Sequence, residues 1–335
     1  MARIAINGLG RIGRAALKIL QGVEGVEVAA VNDLVPVDNL AYLLRFDTVY
    51  GRWDRQVAAD GDALVVDGTR IPVYAEKDPS RLPWGDLGVD LVLECTGVFR
   101  REEDLQRHLT AGARHVILSA PAKTETLSTV VHGVNAAPED RRAISCASCT
   151  TNCIAPVMEV LSRRIGVERA VMNTVHAYTA SQQLVDGPSK KLRSGRAAAA
   201  NMVPAGTGAA QATAKALPDL EDRFDGTAVR VPVTVGSLSD IVVVTSRPTS
   251  AEEVNAVLRE EADTDRYRGV LEVSDEPLVS SDIVGDTHAS VVDAEMTRVV
   301  DGTLAKVMSW YDNEWGFTHQ MVREALEMLG LPRSV

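Results

Sequence analysis

The sequence has no apolar run long enough to span a bilayer, and its first residues, MARIAINGLG, do not read as a signal peptide. The opening apolar stretch breaks at Gly8 and Gly10, and no cleavage-type segment follows. These absences predict a soluble, cytoplasmic protein without a membrane partner. Positive charge is also short: 35 basic residues stand against 46 acidic ones, a formal net charge of −11. That balance argues against general binding to nucleic acid or anionic membrane. Cysteine is scarce, with residues 95, 146, 149 and 153 the only four, and three of these fall within eight residues. A secreted disulfide framework would be scattered. In a reducing compartment such clustering points to metal, redox or nucleophilic chemistry. Internal repeats are absent, and Ala197–Ala200 is the only low-complexity tract.

What remains is an ordinary globular balance, 45% hydrophobic and 24% charged over 335 residues. A core can form without staples, and two domains are the better expectation. The first third alternates strand and helix patterns: 3–6, 26–31, 91–95 and 115–118 read as strands. Residues 11–21 read as a helix with Ile12, Ala15, Ala16, Ile19 and Leu20 on one face. This grammar predicts βαβ units and a doubly wound parallel sheet. After residue 149 a helix to about 165 and a strand at 170–178 precede a structureless-looking stretch, 179–201. Strand-like runs follow at 227–235, 241–245, 269–273, 288–292 and 303–310, with few helices between them, then a terminal helix at 314–329. The second part therefore predicts an α+β domain with a largely antiparallel sheet. A loop of more than twenty residues in a compact domain is usually functional. This one carries Lys190, Lys191, Arg193 and Arg196, a local basic patch able to attract an anion, although a plain solvated surface would look the same.

Gly8, Gly10 and Gly13 form G-x-G-x-x-G between the first strand and first helix, and Asp33 ends the second strand, 20 residues after Gly13. The glycines alone are weak evidence; in this strand–turn–helix context with the acid they are strong. Gly8 permits the turn, Gly10 the approach of a pyrophosphate and Gly13 close helix packing, while the helix N-terminus receives the anion. Asp33 suits the ribose hydroxyls of NAD and repels the 2′-phosphate of NADP.

Cys149 begins the helix predicted from 149, where a helix dipole favours the thiolate. His176 lies near the end of a strand, just before the long loop, and is a candidate base. Two alternatives stay open. Cys146 and Cys149 form a C-x-x-C, yet a structural zinc wants four ligands and no second pair is nearby, so no metal is expected. A dithiol redox site is the other alternative, and it leaves the dinucleotide signature unexplained.

NGLGRIGR at 7–14, ECTGVF at 94–99, SCTTNC at 148–153, TVHAYT at 174–179, Gly206-Thr207-Gly208, VRVPV at 229–233 and WYDNEWGF at 310–317 occur in one order. In them the chain resembles the glyceraldehyde-3-phosphate dehydrogenase family over nearly its whole length. The resemblance implies a Rossmann-type NAD domain of residues 1–148 plus 313–335 and a catalytic domain of 149–312. It implies Cys149 as nucleophile and His176 as base. Thr179, Ser181 and Arg230, with Arg196 of the basic loop, would meet phosphate on the substrate side, and Ser148, Thr150, Thr207 and Gly208 the attacking inorganic phosphate. Besides the glycines and Asp33, it implies cofactor contacts from Arg11, Ile12, Thr96, Ser119, Pro188, Asn313 and Phe317. The implied reaction is glycolytic: glyceraldehyde 3-phosphate, NAD and inorganic phosphate give an acyl phosphate through a Cys149 thioester, in a homotetramer.

Some positions depart from the family pattern. Phe317 replaces a usual tyrosine, Tyr50 a histidine, Cys146 a small residue and Ser181 an Asp or Thr, and 233–240 lacks the commoner proline. Without the resemblance, Arg230 is simply the polar member of an alternating strand, Thr179 and Thr207 are loop threonines, and Asn313 is a turn residue. An erythrose-4-phosphate dehydrogenase of the same family, which ends in hydrolysis, is the nearest rival reading. Aspartate-semialdehyde dehydrogenases commonly prefer NADPH, which Asp33 opposes. A non-catalytic NAD-binding redox sensor is the rival from another class.

Overall fold

The computed structural model describes residues 1–333. The chain divides into two compact units, the first made of Met1–Val130, Ala137–Ala147 and the segment from Met321, the second of Val131–Ala136 and Ser148–Gln320. Sequence reading draws its lines at 148/149 and 312/313; residues 131–136, 148 and 313–320 group here with the second unit instead.

The first unit opens with β1 (Ala2–Asn7), α1 (Arg11–Leu20), β2 (Val26–Asn32) and α2 (Val37–Arg45). A short ribbon, β3 (Phe46–Asp47) and β4 (Gly51–Arg52), leads to β5 (Val57–Asp60), β6 (Ala63–Val66) and β7 (Thr69–Tyr74). Then come β8 (Leu91–Glu94), α3 (Glu102–Thr110), β9 (His115–Leu118) and β10 (Ala143–Ser145). Eight strands form one sheet in the order β10-β9-β8-β1-β2-β7-β6-β5, parallel from β10 to β7. The predicted parallel sheet is therefore present. The antiparallel meander β5–β7 was not foreseen, although Gly61-Asp62 and Asp67-Gly68 are hairpin dipeptides, with Asp67 at φ 48° and Gly68 at φ 84°. Chain order reverses at β1, which has β2 on one side and β8 on the other. In such sheets the ends of the two strands at the reversal diverge and leave a crevice.

The second unit contains α4 (Cys149–Arg164), β11 (Val167–Ala177), β12 (Val203–Gly206), α5 (Ala209–Ala216), β13 (Phe224–Val231) and β14 (Ser237–Thr245). It continues through α6 (Ala251–Ala262), β15 (Leu271–Ser274), β16 (Ser290–Val300) and β17 (Leu304–Tyr311) to the start of α7 (Trp315–Met328). Its seven strands run β12-β13-β11-β14-β17-β16-β15, antiparallel except for the β11–β13 and β15–β16 pairs. Helix α4 lies in the core of this unit, buried from Thr150 to Leu161 and packed by α5, α6, β14, β16 and β17. Helices α5 and α6 were missed from sequence; Ser250, whose hydroxyl accepts the Glu253 N–H at 3.2 Å, is the capping signal for α6. The 179–201 stretch is ordered rather than structureless. It holds 3₁₀ turns at Leu192–Gly195 and Ala198–Ala200, and backbone bonds Gly187 N–H to Gly195 O and Ala198 N–H to Gln183 O, 2.8 and 2.9 Å long.

Candidate active site

At the ends of β1, β2 and β8 lies a cleft of about 410 Å³ lined by Asn7, Gly8, Gly10, Asp33, Thr96 and Phe99 among others. Each glycine is required differently. Gly8 has φ +92° and a Cβ on it would stand 2.8 Å from the Thr96 nitrogen, while one on Gly13 would stand 1.9 Å from Gly8 O. Above Gly10 nothing lies within 4 Å. Gly10 also caps α1 without any side-chain bond, and a helix N-terminus is where backbone N–H groups and the dipole favour an anion. Asp33 accepts the Leu9 N–H at 2.6 Å and the Val35 N–H at 2.9 Å, which pins its carboxylate beside the glycine turn. These features fit a dinucleotide: an open approach for the pyrophosphate, donors behind it, and a fixed acid for ribose hydroxyls.

Arg11 pairs with Asp47 and lies 5.4 Å over the Tyr50 ring, so Tyr50 helps hold the guanidinium. Ile12 is half-buried at the start of α1. Thr96 donates both its N–H, at 2.8 Å, and its hydroxyl to Glu94. Ser119 N–H donates to Glu94 O at 3.0 Å, and its side chain bonds Cys95. Sequence reading missed the polar floor below the cleft. Buried Glu94 also receives the Asn7 amide and faces His108 Nε2 at 3.1 Å, while Trp84 Nε1–H donates to His108 Nδ1 at 3.0 Å. Because Trp84 occupies Nδ1, the His108 proton sits on Nε2, toward Glu94. The available signal was an acid inside an otherwise apolar strand, LVLE.

In the second unit Ser148 caps α4, its Oγ accepting the Thr151 N–H at 3.1 Å. Cys149 is the next residue, and its Sγ lies 3.4 Å from His176 Nε2. His176 is buried near the end of β11, with Nδ1 2.7 Å from Ala177 O. Arg230 of β13 stands opposite His176 in the parallel ladder, its Nη1 3.1 Å from Ala177 O and also against Nδ1. Tyr311 lies edge-on to the imidazole at 5.9 Å between centroids and shares its hydroxyl with Thr150 and Thr174, at 2.9 and 2.8 Å.

Burial, then the Arg230 charge, depress the His176 imidazole to about 3, so it is neutral at neutral pH. Burial raises the Cys149 thiol, against the helix-end expectation, while Arg230 and hydrogen bonds from Thr150 pull it back down. The resting pair is thus a thiol beside a neutral imidazole. All four cysteines are free, and burial also raises Cys95 and Cys146.

The remaining sequence candidates each have local partners of their own. Thr179 and Ser181 hydroxyls bond each other at 2.8 Å. Thr207 Oγ1 accepts the Ala209 N–H at 3.1 Å, and Gly208 caps α5 without a side chain. Arg196 folds back onto Asp186 at 2.9 Å, within its own loop, and Pro188 is exposed nearby. Asn313 is buried, its Oδ1 taking the Gly236 N–H and Ser237 hydroxyl, and Phe317 is buried in the first turn of α7.

A Rossmann unit with an NAD-type glycine turn, together with a thiol–imidazole pair on a second unit, defines the class of the NAD-dependent dehydrogenases. Residues 2–102 match the profile described as glyceraldehyde 3-phosphate dehydrogenase, NAD binding domain, and residues 148–313 that family's C-terminal domain. A glyceraldehyde-3-phosphate dehydrogenase of Zymomonas mobilis is 47% identical over 330 residues, covering 97% of this chain and 98% of the relative. The enzyme of that name from Geobacillus stearothermophilus is 48% identical over 323 residues, 96% of each chain. One from Bacillus subtilis is 47% identical, again over 96% of each. The chain belongs to the glyceraldehyde 3-phosphate dehydrogenase family.

Proposed function

We propose that the chain oxidises glyceraldehyde 3-phosphate with NAD and inorganic phosphate to 1,3-bisphosphoglycerate, through a thioester on Cys149. The observation that carries this reading is the 3.4 Å approach of Cys149 Sγ to His176 Nε2 at the head of α4. His176, neutral at working pH, takes the thiol proton as Sγ bonds the aldehyde carbon. The resulting oxyanion is held by the imidazolium and by the Cys149 N–H, then protonated by His176. The same imidazole next removes the hemithioacetal hydroxyl proton as the C–H bond breaks. NAD, when bound, supplies the hydride acceptor. Phosphate then attacks the thioester carbonyl, the C–S bond breaks, and the thiolate returns as the acyl phosphate leaves.

Within this reading Arg230, Thr179 and Ser181 hold the substrate's own phosphate. The N–H groups that open α4, Ser148, and Thr207 with Gly208 receive the inorganic phosphate, and Arg196 adds positive potential. Asn313 and Phe317 face the nicotinamide, Pro188 the cofactor site of a neighbouring subunit. Leu184, Val185 and Leu192, all exposed on the 179–201 loop, support a contact with further copies in a homotetramer.

The test follows NADH formation from purified protein with glyceraldehyde 3-phosphate and NAD, with and without inorganic phosphate. Turnover that requires phosphate and disappears in Cys149→Ala is expected, with one equivalent of NADH per site and then a stall when phosphate is withheld. Steady turnover indifferent to phosphate would overturn the phosphorylating reading and direct the assay to erythrose 4-phosphate. No NADH under any condition would leave a non-catalytic NAD-binding protein.

A further inference from the structure

Ser237 opens β14, the strand between β11 and β17, and is 1% exposed. It stands opposite Tyr311 of β17, and the next residue, Leu238, stands opposite Val175 of β11. A hydroxyl at this point reaches the ends of both flanking strands. Its Oγ accepts the Ala177 N–H at 3.1 Å and lies 2.9 Å from Asn313 Oδ1. A backbone N–H can only donate, so the single Ser237 proton is free to go to Asn313. Gly236 N–H adds a second donor to the same oxygen at 3.2 Å. Gly236 can do so only as glycine: its φ is +93°, and a Cβ there would stand 2.2 Å from Ser280 O.

Two donors converging on one atom settle which way round the Asn313 amide sits. Oδ1 is committed inward, and Nδ2 has no hydrogen-bond partner among the described residues. The group left for a ligand is therefore a donor, the complement of a carboxamide carbonyl oxygen. On the other side, Ser237 fixes Ala177, whose carbonyl lies 2.7 Å from His176 Nδ1.

We propose that Ser237 is a positioning residue that couples the two ends of the site, holding Asn313 as a donor toward a bound nicotinamide carboxamide while fixing the backbone that orients His176. This rests on the reading of Asn313 as a nicotinamide contact. The test compares Ser237→Thr with Ser237→Val in the full-length protein, since the two side chains have one shape and differ in the hydroxyl. Dissociation constants are measured for NAD and for ADP-ribose, which lacks the nicotinamide. Losing the hydroxyl should weaken NAD roughly tenfold relative to the threonine variant and leave ADP-ribose unchanged. The valine variant should also lose kcat, with the threonine variant restoring it. If NAD and ADP-ribose weaken together, Ser237 is only a packing residue and the proposal falls. Asn313→Ala reads the foundation separately: unchanged NAD affinity would remove the contact itself. Weakened NAD with no difference between threonine and valine would overturn the role of Ser237 alone. If the added methyl unfolds both variants, Ser237→Ala against the unaltered protein reads the same ratio.

Discussion

Arg230 Nη1 sits 2.5 Å from His176 Nδ1, and both atoms face the Ala177 carbonyl. Nδ1 can accept from the guanidinium or, as an N–H, donate to Ala177 O, but not both; while it accepts from Arg230 the imidazole proton lies on Nε2, toward the thiol. An anion that draws Arg230 away frees Nδ1 to donate to Ala177 and leaves the Nε2 lone pair facing Sγ. Under the proposed function, the substrate's phosphate would thereby ready His176 as the base.

Arg230→Met should consequently move both groups upward, because a cation beside them is lost. The His176 imidazole rises from about 3, and the Cys149 thiol rises further above its ordinary value. NMR titration of labelled histidine and the pH dependence of Cys149 alkylation read the two shifts. Turnover should fall on the order of a hundredfold or more if Arg230 makes the proposed phosphate contact. A His176 titration unchanged by the substitution would mean that the guanidinium does not act on the ring.

Asp33 holds two backbone N–H groups and faces the cleft. Asp33→Asn keeps one acceptor and removes the charge. NAD should bind about tenfold more weakly, while NADP gains relative to it because the repulsion of a 2′-phosphate is relieved. Titrations with both nucleotides at fixed ionic strength give the ratio. An unchanged ratio would count against Asp33 as the discriminating group.

Gly13→Ala and Gly10→Ala separate packing from binding. The first puts a methyl against Gly8 O, a backbone atom that cannot step aside, and should cost about 2–4 kcal/mol of stability in the first unit. The second has φ −68° and open space above it, so the melting temperature should stay within a degree or two while NAD affinity falls. Melting curves beside NADH fluorescence titrations distinguish them. Equal destabilisation by both would contradict this geometry.

Glu261 takes Arg163 at 2.7 Å and Arg164 at 2.6 Å, and the two arginines hold its carboxyl down at about 2. A carboxylate depressed in the fold contributes its stability above its unfolded value, near 4.5, and loses it as pH falls toward about 2. Glu261→Gln should therefore cost about 1–2 kcal/mol at pH 7, discounted for the exposed arginines, and little at pH 2. Denaturant midpoints at the two pH values test this; an equal cost at both would refute the ionic account.

The parts legible in the sequence were those whose physics is local. A strand, three glycines and a helix are neighbours in the chain, as are Ser148 and Cys149 at a helix start. The register that sets Arg230 against His176 joins positions 54 residues apart, across a parallel pair within a mainly antiparallel sheet, and no periodicity reports it. The raised Cys149 thiol is illegible for a related reason: the helix end is visible in the sequence, whereas the burial that outweighs it exists only in the packed fold. Likewise Glu94 and His108 meet only once β8 and α3 are packed, and Ser237 gains its two partners only between β11 and β17.

Helix α4 is embedded in the second unit along most of its length, with even Pro156 buried in its middle. Cys149, the proposed nucleophile, is thus mounted on one of the least adjustable pieces of the unit, whereas most of the 179–201 loop is exposed and held by a few backbone bonds. For a lineage acquiring a new substrate, the two are unequal raw material. Moving the sulfur would require repacking a core, so inherited change in specificity should accumulate in the loop and leave the chemistry where it is.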